Sequence, residues 1–313
     1  MSVFTRTEQK KHRYEDDFIK RSRGEKIFSV CNTIFMLFLL VFLLYPVLNV
    51  VAISVSNETQ VMAANVTFYP IGFNPQAYTT IFKDADLWRS IGNTVFVSGV
   101  GCVLSLVALC IAAYPLAFAH FYGKKIYTLL IMFTMWFQGG IVPLFLTMQG
   151  LGLYDSLWAL IFNGLISAYN VVIIRSYFTS IPMSVIESAR IDGANDFRIL
   201  FRLVIPLSKP VLATVALWVI VGHWNDYMNP LILISSRANQ TLQLQLKSLV
   251  LAAESSTSNL ATLSKSEAMK GVAALNTQIK NGVLVVSMVP MIVIYPFIQR
   301  FFVSGVMLGS VKG

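Results

Sequence analysis

Residues that carry acid–base or metal chemistry are scarce in this chain. Three histidines, His12, His120 and His223, occur in 313 residues, and none has a partner at the helical spacing that metal-binding pairs use. They read as structural or hydrogen-bonding groups rather than ligands. The three cysteines, Cys31, Cys102 and Cys110, all lie in apolar stretches; an odd count without metal-type spacing gives no disulfide framework, and they read as small core residues. A phosphate loop of the Gly-x-x-x-x-Gly-Lys-Ser/Thr type is missing, because Gly123-Lys124 has no glycine five positions earlier and Lys125 stands where Ser or Thr is needed. The sequence therefore offers no catalytic residues, no metal site and no nucleotide cofactor site of its own. A polytopic membrane enzyme, which needs clustered acid, base or metal groups, is disfavoured.

Charge is also thin. Charged residues make up 12% of the chain, against about 25% in an average soluble domain. Hydrophobic residues reach 56%, and the mean hydropathy is +0.66. Six apolar segments can be placed: Ile27 to Ile53, Ile91 to Phe118, Ile126 to Met148, Leu157 to Tyr177, Val211 to Ile234 and Val283 to Phe302. About 20 such residues in a helix cross a hydrocarbon core of roughly 30 Å. The runs are continuously apolar rather than alternating, which selects helices over barrel strands. The first run follows a charged 26-residue segment, exceeds a signal-peptide core and precedes no small-residue cleavage pattern, so it reads as a retained helix. The expected class is an all-α polytopic membrane protein: a tail over 1–26, then a six-helix domain over 27–313.

The net charge of +9 sits beside apolar runs, without the aromatic-basic pattern of a nucleic-acid reader. With the N-terminus in the cytosol, 17 of the 24 Lys and Arg fall in the N-terminal tail, the 119–125 loop, the 178–210 region with neighbouring Arg175, and the C-terminal end. This bias satisfies the positive-inside rule and places both termini in the cytosol. Trp88, Trp136, Trp158 and Trp224 fall near helix ends, where they read either as interfacial rings or as side chains packed against a partner subunit. The pairs Ala108/Ala112 and Ala113/Ala117 permit close helix contact. Prolines 46, 115, 143, 230, 290 and 296 are expected to kink helices or end them early. Two outer segments, Ser54 to Arg89 and about 235–280, are long enough to have shape. In the second, the alternation Thr241-Leu-Gln-Leu-Gln-Leu246 suits an extended stretch, with a short helix near Leu249 to Glu254 and a polar turn at Ser255 to Asn259.

The most informative run lies between the fourth and fifth segments, Pro182 to Pro210. Ser184 and Glu187 have capping-box spacing. Gly193 supplies a left-handed stop, so a second short helix can run from about Asp196 to Arg202. Ala189, Gly193 and Ala194 are small enough for another protein to approach, and Phe197, Leu200 and Phe201 offer apolar anchors beside Arg198 and Arg202. An amphipathic helix lying on the inner leaflet is the plainer alternative.

Here the sequence resembles a known family. Glu187-Ser-Ala, Asp192-Gly193-Ala194 and Ile205-Pro206 match the "EAA...G...I.LP" signature of bacterial ABC importer permeases, with Ser188 replacing the middle alanine. Asn93-Thr94, Gly139-Gly140-Ile-Val-Pro143, Gly152-Leu-Tyr-Asp155, Gly222-His-Trp-Asn-Asp-Tyr227 and the ending Val311-Lys312-Gly313 are similar to the sugar-importer branch, on its MalG-like, LplC-like side. The resemblance covers the chain from Ile27 and implies the type I importer (MetI-like) fold. It implies coupling helices over about 184–202 that seat in a partner ATPase, through Glu187, Ser188, Ala189, Asp192, Gly193, Ala194, Phe197 and Phe201, with Lys312 of the 304–313 tail as a second contact. It implies a MalF-like second permease as heterodimer partner, two ATPase subunits that hold ATP and Mg, and an extracytoplasmic solute-binding protein probed by the 235–280 loop. The resemblance implies a setting in the bacterial cytoplasmic membrane.

Polar groups inside apolar helices often mark a pathway. That singles out Asn163, Asn170, His223, Trp224, Asn225, Asp226 and Tyr227, beside Tyr169, as a path for a carbohydrate; the rival reading has them bonding neighbouring helices or the partner permease. A permease for a non-sugar polar solute is one alternative. An ion-coupled secondary transporter is another, although Asp226 stands almost alone among acidic groups in the apolar segments.

Overall fold

The computed structural model describes residues 23–119, 121–137, 139–251 and 267–309, and among them every regular element is a helix. Contacts divide the chain into residues 1–49 and 50–313. In the first unit, residues 23–49 lie in α1 (Arg23–Ser54). Large apolar side chains such as Ile27, Phe38 and Leu43 are exposed along it. A helix that is apolar on every side finds its solvent in lipid rather than in water.

The second unit begins with short helices α2 (Glu58–Met62) and α3 (Gln76–Lys83) and is organised around α4 (Ala85–Phe118). Asp84 starts α4 by accepting the amides of Asp86 at 2.9 Å and Leu87 at 3.4 Å. The buried face of α4 carries Ser90, Thr94, Ser98, Gly101 and Ser105, a stripe of small residues that lets other helices come close. Ala113, expected for that role, is fully buried as well. Pro115 lies within the last turn, and the helix stops at Phe118.

The third expected span is two helices, α5 (Lys124–Phe133) and α6 (Ile141–Gly150). Hydropathy runs through the break between them, but α5 stops at Phe133 and Gly140, at φ 87°, takes a non-helical angle at the cap position from which α6 starts. The fourth is also bent, α7 (Leu157–Asn163) meeting α8 (Ala168–Thr179) at 52°. After α8 come α9 (Met183–Ile191), α10 (Asp196–Ile199), a π-turn over Leu200–Val204 and α11 (Ile205–Leu207). The backbone then turns by 84° into α12 (Lys209–Asn225). The fifth span stops at Asp226 and resumes as α13 (Met228–Leu233). Asp226 accepts the Asn229 amide at 3.1 Å, a local bond that competes with helix continuation.

The stretch expected to be extended at 241–246 is instead helical, in α14 over residues 242–251. Alternating leucine arises because α14 is buried on two sides: Leu244 joins Val97 and Leu160, while Leu242 and Leu246 join Ile81, Leu87 and Trp224. The polar turn expected at Ser255 to Asn259 lies outside the described residues. α15 (Glu267–Gly309) starts well before the expected sixth segment and contains Pro290 and Pro296. Arg23–Ser54 and Ala85–Phe118 are long and apolar enough to cross a membrane, and up to four described crossings arise if each bent pair counts as one.

Candidate functional site

The Pro182–Pro210 run forms a two-armed elbow on the C-terminal half of α4. The helix start expected from Ser184 and Glu187 falls elsewhere. Pro182 occupies the cap position of α9 without a side-chain bond, which places Ser184 inside the first turn. There its carbonyl accepts the Ser188 hydroxyl at 2.8 Å. The turn after α9 does use Gly193, at φ 79°, and a Cβ there would meet nothing within 4 Å. Asn195 caps α10 by accepting the Arg198 amide at 2.8 Å.

One apolar side of the elbow is inserted into the bundle. Ile186, Ile199, Leu200 and Val204 are buried with Leu109, Phe118, Ile174 and Phe178, and half-buried Ala189 and Ala194 pack against the same cluster. The two half-buried alanines thus pack against the bundle, and Leu200 is a core residue rather than an outer anchor. The opposite side exposes Glu187, Ser188, Asp192 and Gly193 together with Phe197 and Phe201. Ile191, at 86% exposure the most open apolar residue of the elbow, was not singled out from sequence, although it directly precedes Asp192-Gly193. Lys312 lies outside the described residues.

A polar clamp holds the two arms together. Asp196 Oδ1 accepts from Arg190 Nη2 at 3.2 Å and from the Tyr114 hydroxyl at 2.9 Å. α9, α10 and α4 therefore share one carboxylate oxygen. A cavity of about 230 Å³ lies beside it, walled by Ile111, Tyr114, Arg190 and Phe197 among others. Nothing local in the sequence pairs Tyr114 with a residue 82 positions away.

A second cavity, about 390 Å³, opens at the C-terminal end of α12. It gathers Asn163, Asn170, His223, Asn225 and Asp226, and adds Trp218 and Asn229. His223 fits a slot between glycines: a Cβ at Gly101 would stand 2.9 Å from His223 Nε2, and one at Gly164 would stand 3.3 Å from Cε1. Asp226 also accepts the Asn229 side-chain amide at 2.7 Å. Trp224 and Tyr227, expected on the path, do not line this cavity, and neither does Tyr169, which is exposed with its ring 5.7 Å from that of Trp218. Trp224 is 3% exposed, points into the cluster with Leu87 and Val283, and donates its indole N–H to the Ser287 carbonyl at 3.3 Å. Burial also removes it from any interfacial belt, whereas Trp88, Trp136 and Trp158 are exposed. Tyr227 is exposed beside the break after α12. Amides, an imidazole and an indole around one polar cavity can bond a hydroxylated solute.

The segment after α13 is pinned in place. Asp155, at φ 57°, accepts the Ser235 and Ser236 amides at 2.9 Å and the Ser236 hydroxyl at 3.0 Å. The Ser236 amide leads the effects that hold its carboxyl below the usual carboxylate range. Asn93 on α4 donates to the carbonyls of Ala238 at 2.8 Å and Gln240 at 2.9 Å, and Thr94 Oγ1 accepts the Leu242 amide at 2.8 Å. The Asn93-Thr94 and Asp155 motifs thus have a common physical purpose. Among the described residues no group of three or more His, Cys, Asp or Glu could hold a metal ion.

Apolar helices bent around a polar cavity, with an elbow that presents apolar side chains on one face, make up a helical membrane permease. The chain belongs to the family of binding-protein-dependent transport system inner membrane components, whose model matches residues 100–306. It is 33% identical over 93% of its length to Protein LplC of Bacillus subtilis, covering 97% of that protein. It is 35% identical over 92% of its length to the polygalacturonan/rhamnogalacturonan transport system permease protein YtcP of the same species, covering 99% of it. The structure matches, with TM-score 0.81 and 32% identity over 90% of this chain and 98% of the other, a chain in the crystal structure of a bacterial ABC transporter that imports the acidic polysaccharide alginate.

Proposed function

We propose that this chain is one permease subunit of an ATP-driven importer that carries oligosaccharide or a related carbohydrate across the bacterial cytoplasmic membrane. The observation that carries the reading is the elbow, which exposes Ile191, Phe197 and Phe201 beside polar residues and is tied to α4 through the Tyr114–Asp196 bond. Six spans with cytosolic termini place the elbow on the inner face, in keeping with the basic bias of its flanks. A homologous second permease, two ATPase subunits holding ATP and Mg, and an external solute-binding protein complete the assembly. The family description supports the solute-binding protein, and the carbohydrate relatives support the solute class. ATP-driven closure of the ATPases pulls the elbow, the Tyr114–Asp196 bond passes the movement to α4, and the polar cavity turns from one side of the membrane to the other. The solute meets amide and imidazole groups from Asn163, Asn170 and His223 there.

The test is a photoreactive residue at Ile191 or Phe197 in the assembled transporter, combined with oligosaccharide uptake into proteoliposomes. Cross-linking to the ATPase and uptake that requires internal ATP are the expected results. Cross-linking to lipid alone, or uptake that survives ATP depletion, defeats the proposal.

A further inference from the structure

A third cavity lies away from both regions described so far, where α4 ends and α5 begins. It has a volume of about 820 Å³ and is lined by residues 121–126, by Thr128, Leu129 and Met132 along α5, and by Arg175 of α8. Gly123 at φ 85° turns the chain sharply there, which brings three cations to one mouth. Lys124 Nζ donates to the carbonyls of Ala117 at 3.2 Å and Ala119 at 3.1 Å, and Arg175 Nε donates to the carbonyl of Leu116 at 3.1 Å. Both side chains are fixed by the free carbonyls at the negative end of a 34-residue helix. Among the described residues Arg175 uses only Nε in this way, so its terminal nitrogens remain for another acceptor. Lys125 stands beside them, exposed.

Among the described residues no acidic side chain lines this cavity. Its wall instead runs from the cations directly into Ile126, Leu129 and Met132, all exposed. A small soluble anion needs the cations but has no use for that wall. A molecule with a phosphate at one end and acyl chains at the other uses both. Tyr122 and Phe121 stand exposed at the mouth, as aromatic side chains do at headgroup depth.

We propose that this groove binds the phosphate of an anionic phospholipid of the inner leaflet, its acyl chains lying along α5. The proposal rests on the inward placement of residues 119–125 given under the proposed function. In the bound state Lys125 and Arg175 hold the phosphate, and Lys124 keeps α4 capped beneath it.

The experiment uses the intact transporter complex, incubated with equimolar phosphatidylglycerol and phosphatidylcholine and read by native mass spectrometry. Retention of phosphatidylglycerol in preference to phosphatidylcholine is expected, and Lys125→Gln should weaken it about fivefold, the effect of one cation near an anionic leaflet. That variant leaves the Lys124 and Arg175 bonds to α4 intact, so the fold should persist, and Arg175→Lys tests the fork separately. Equal retention of both lipids, an unchanged Lys125→Gln complex, or displacement by millimolar inorganic phosphate overturns the proposal. The side of the membrane is read independently by labelling Tyr122→Cys with an impermeant maleimide. Labelling from outside defeats the topology whatever lipid is bound.

Discussion

Removing one oxygen atom tests the mechanical part of the mechanism. In Tyr114→Phe the ring stays in its buried place while the bond to Asp196 Oδ1 at 2.9 Å is lost. Asp196 does not become a buried, unsatisfied anion: its side chain is 64% exposed and keeps Arg190 at 3.2 Å. A hydrogen bond to a charged group contributes about 1.5–3 kcal/mol when sheltered, and the exposure of the carboxylate discounts this to about 1 kcal/mol. The bundle should therefore fold, with a small drop in Tm. The elbow, however, then answers to α4 through apolar packing alone.

The expected phenotype is a lower ratio of solute moved to ATP hydrolysed in proteoliposomes, with basal hydrolysis retained. Asp196→Asn, which keeps an oxygen to accept from Tyr114, should preserve most of that ratio, whereas Asp196→Ala should not. A merely structural role predicts instead that transport and hydrolysis fall together in step with Tm. Unchanged coupling in both Tyr114→Phe and Asp196→Ala would refute the mechanism.

Gly193→Leu forces a side chain onto φ 79° in otherwise open space, costing about 1–2 kcal/mol of backbone strain. Uptake should fall while membrane insertion, checked by yield of the assembled complex, persists. Gly101→Ala places a methyl 2.9 Å from His223 Nε2, and overpacking of this kind costs about 1–3 kcal/mol; Tm and uptake should both drop, and Gly164→Ala should be milder. Asp155 carries a depressed folded-state pKa, so its contribution to stability is present above its ordinary value of about 3.9 and is lost as pH falls through the folded value. The Tm gap between the native protein and Asp155→Asn should accordingly close below about pH 4.

How far the sequence alone reached depended on whether the relevant signal was local. Long runs in α1 and α4 were legible because an unbroken apolar stretch has one physical solution in lipid. The breaks were harder to place: hydropathy averages through Gly140 and Asp226, where a backbone angle and a side-chain bond decide. The capping-box reading failed because Pro182 had already taken the cap position. Alternating leucines in α14 mimicked a strand because two different clusters claim successive positions. In the elbow, Gly193 and the outward aromatics followed from local chemistry. Which way Ala189, Ala194 and Trp224 point depends on packing partners far away in sequence, and so does the Tyr114–Asp196 bond.

The placement of two side chains on α4 gives the coupling mechanism a sharper form. Asn93 holds the segment after α13, and Tyr114 holds the elbow. They are 21 positions apart on one continuous helix, which at 1.5 Å per residue is about 32 Å. If α4 is the strut between the elbow and the opposite end, an elbow stroke arrives there as a tilt, and about 10° over that length moves the far end by about 5 Å, one helical turn. Substitutions this far apart normally act independently, with free energies adding to within about 0.5 kcal/mol. Their effects on unfolding should add in Tyr114→Phe with Asn93→Ala. Their effects on the transport-to-hydrolysis ratio should not, because once either end of a strut is loose, loosening the other removes little more. Strict additivity in the coupling ratio would show that movement reaches the far end by another helix, with α12 the next candidate because it packs along α4 and carries His223 into the cavity.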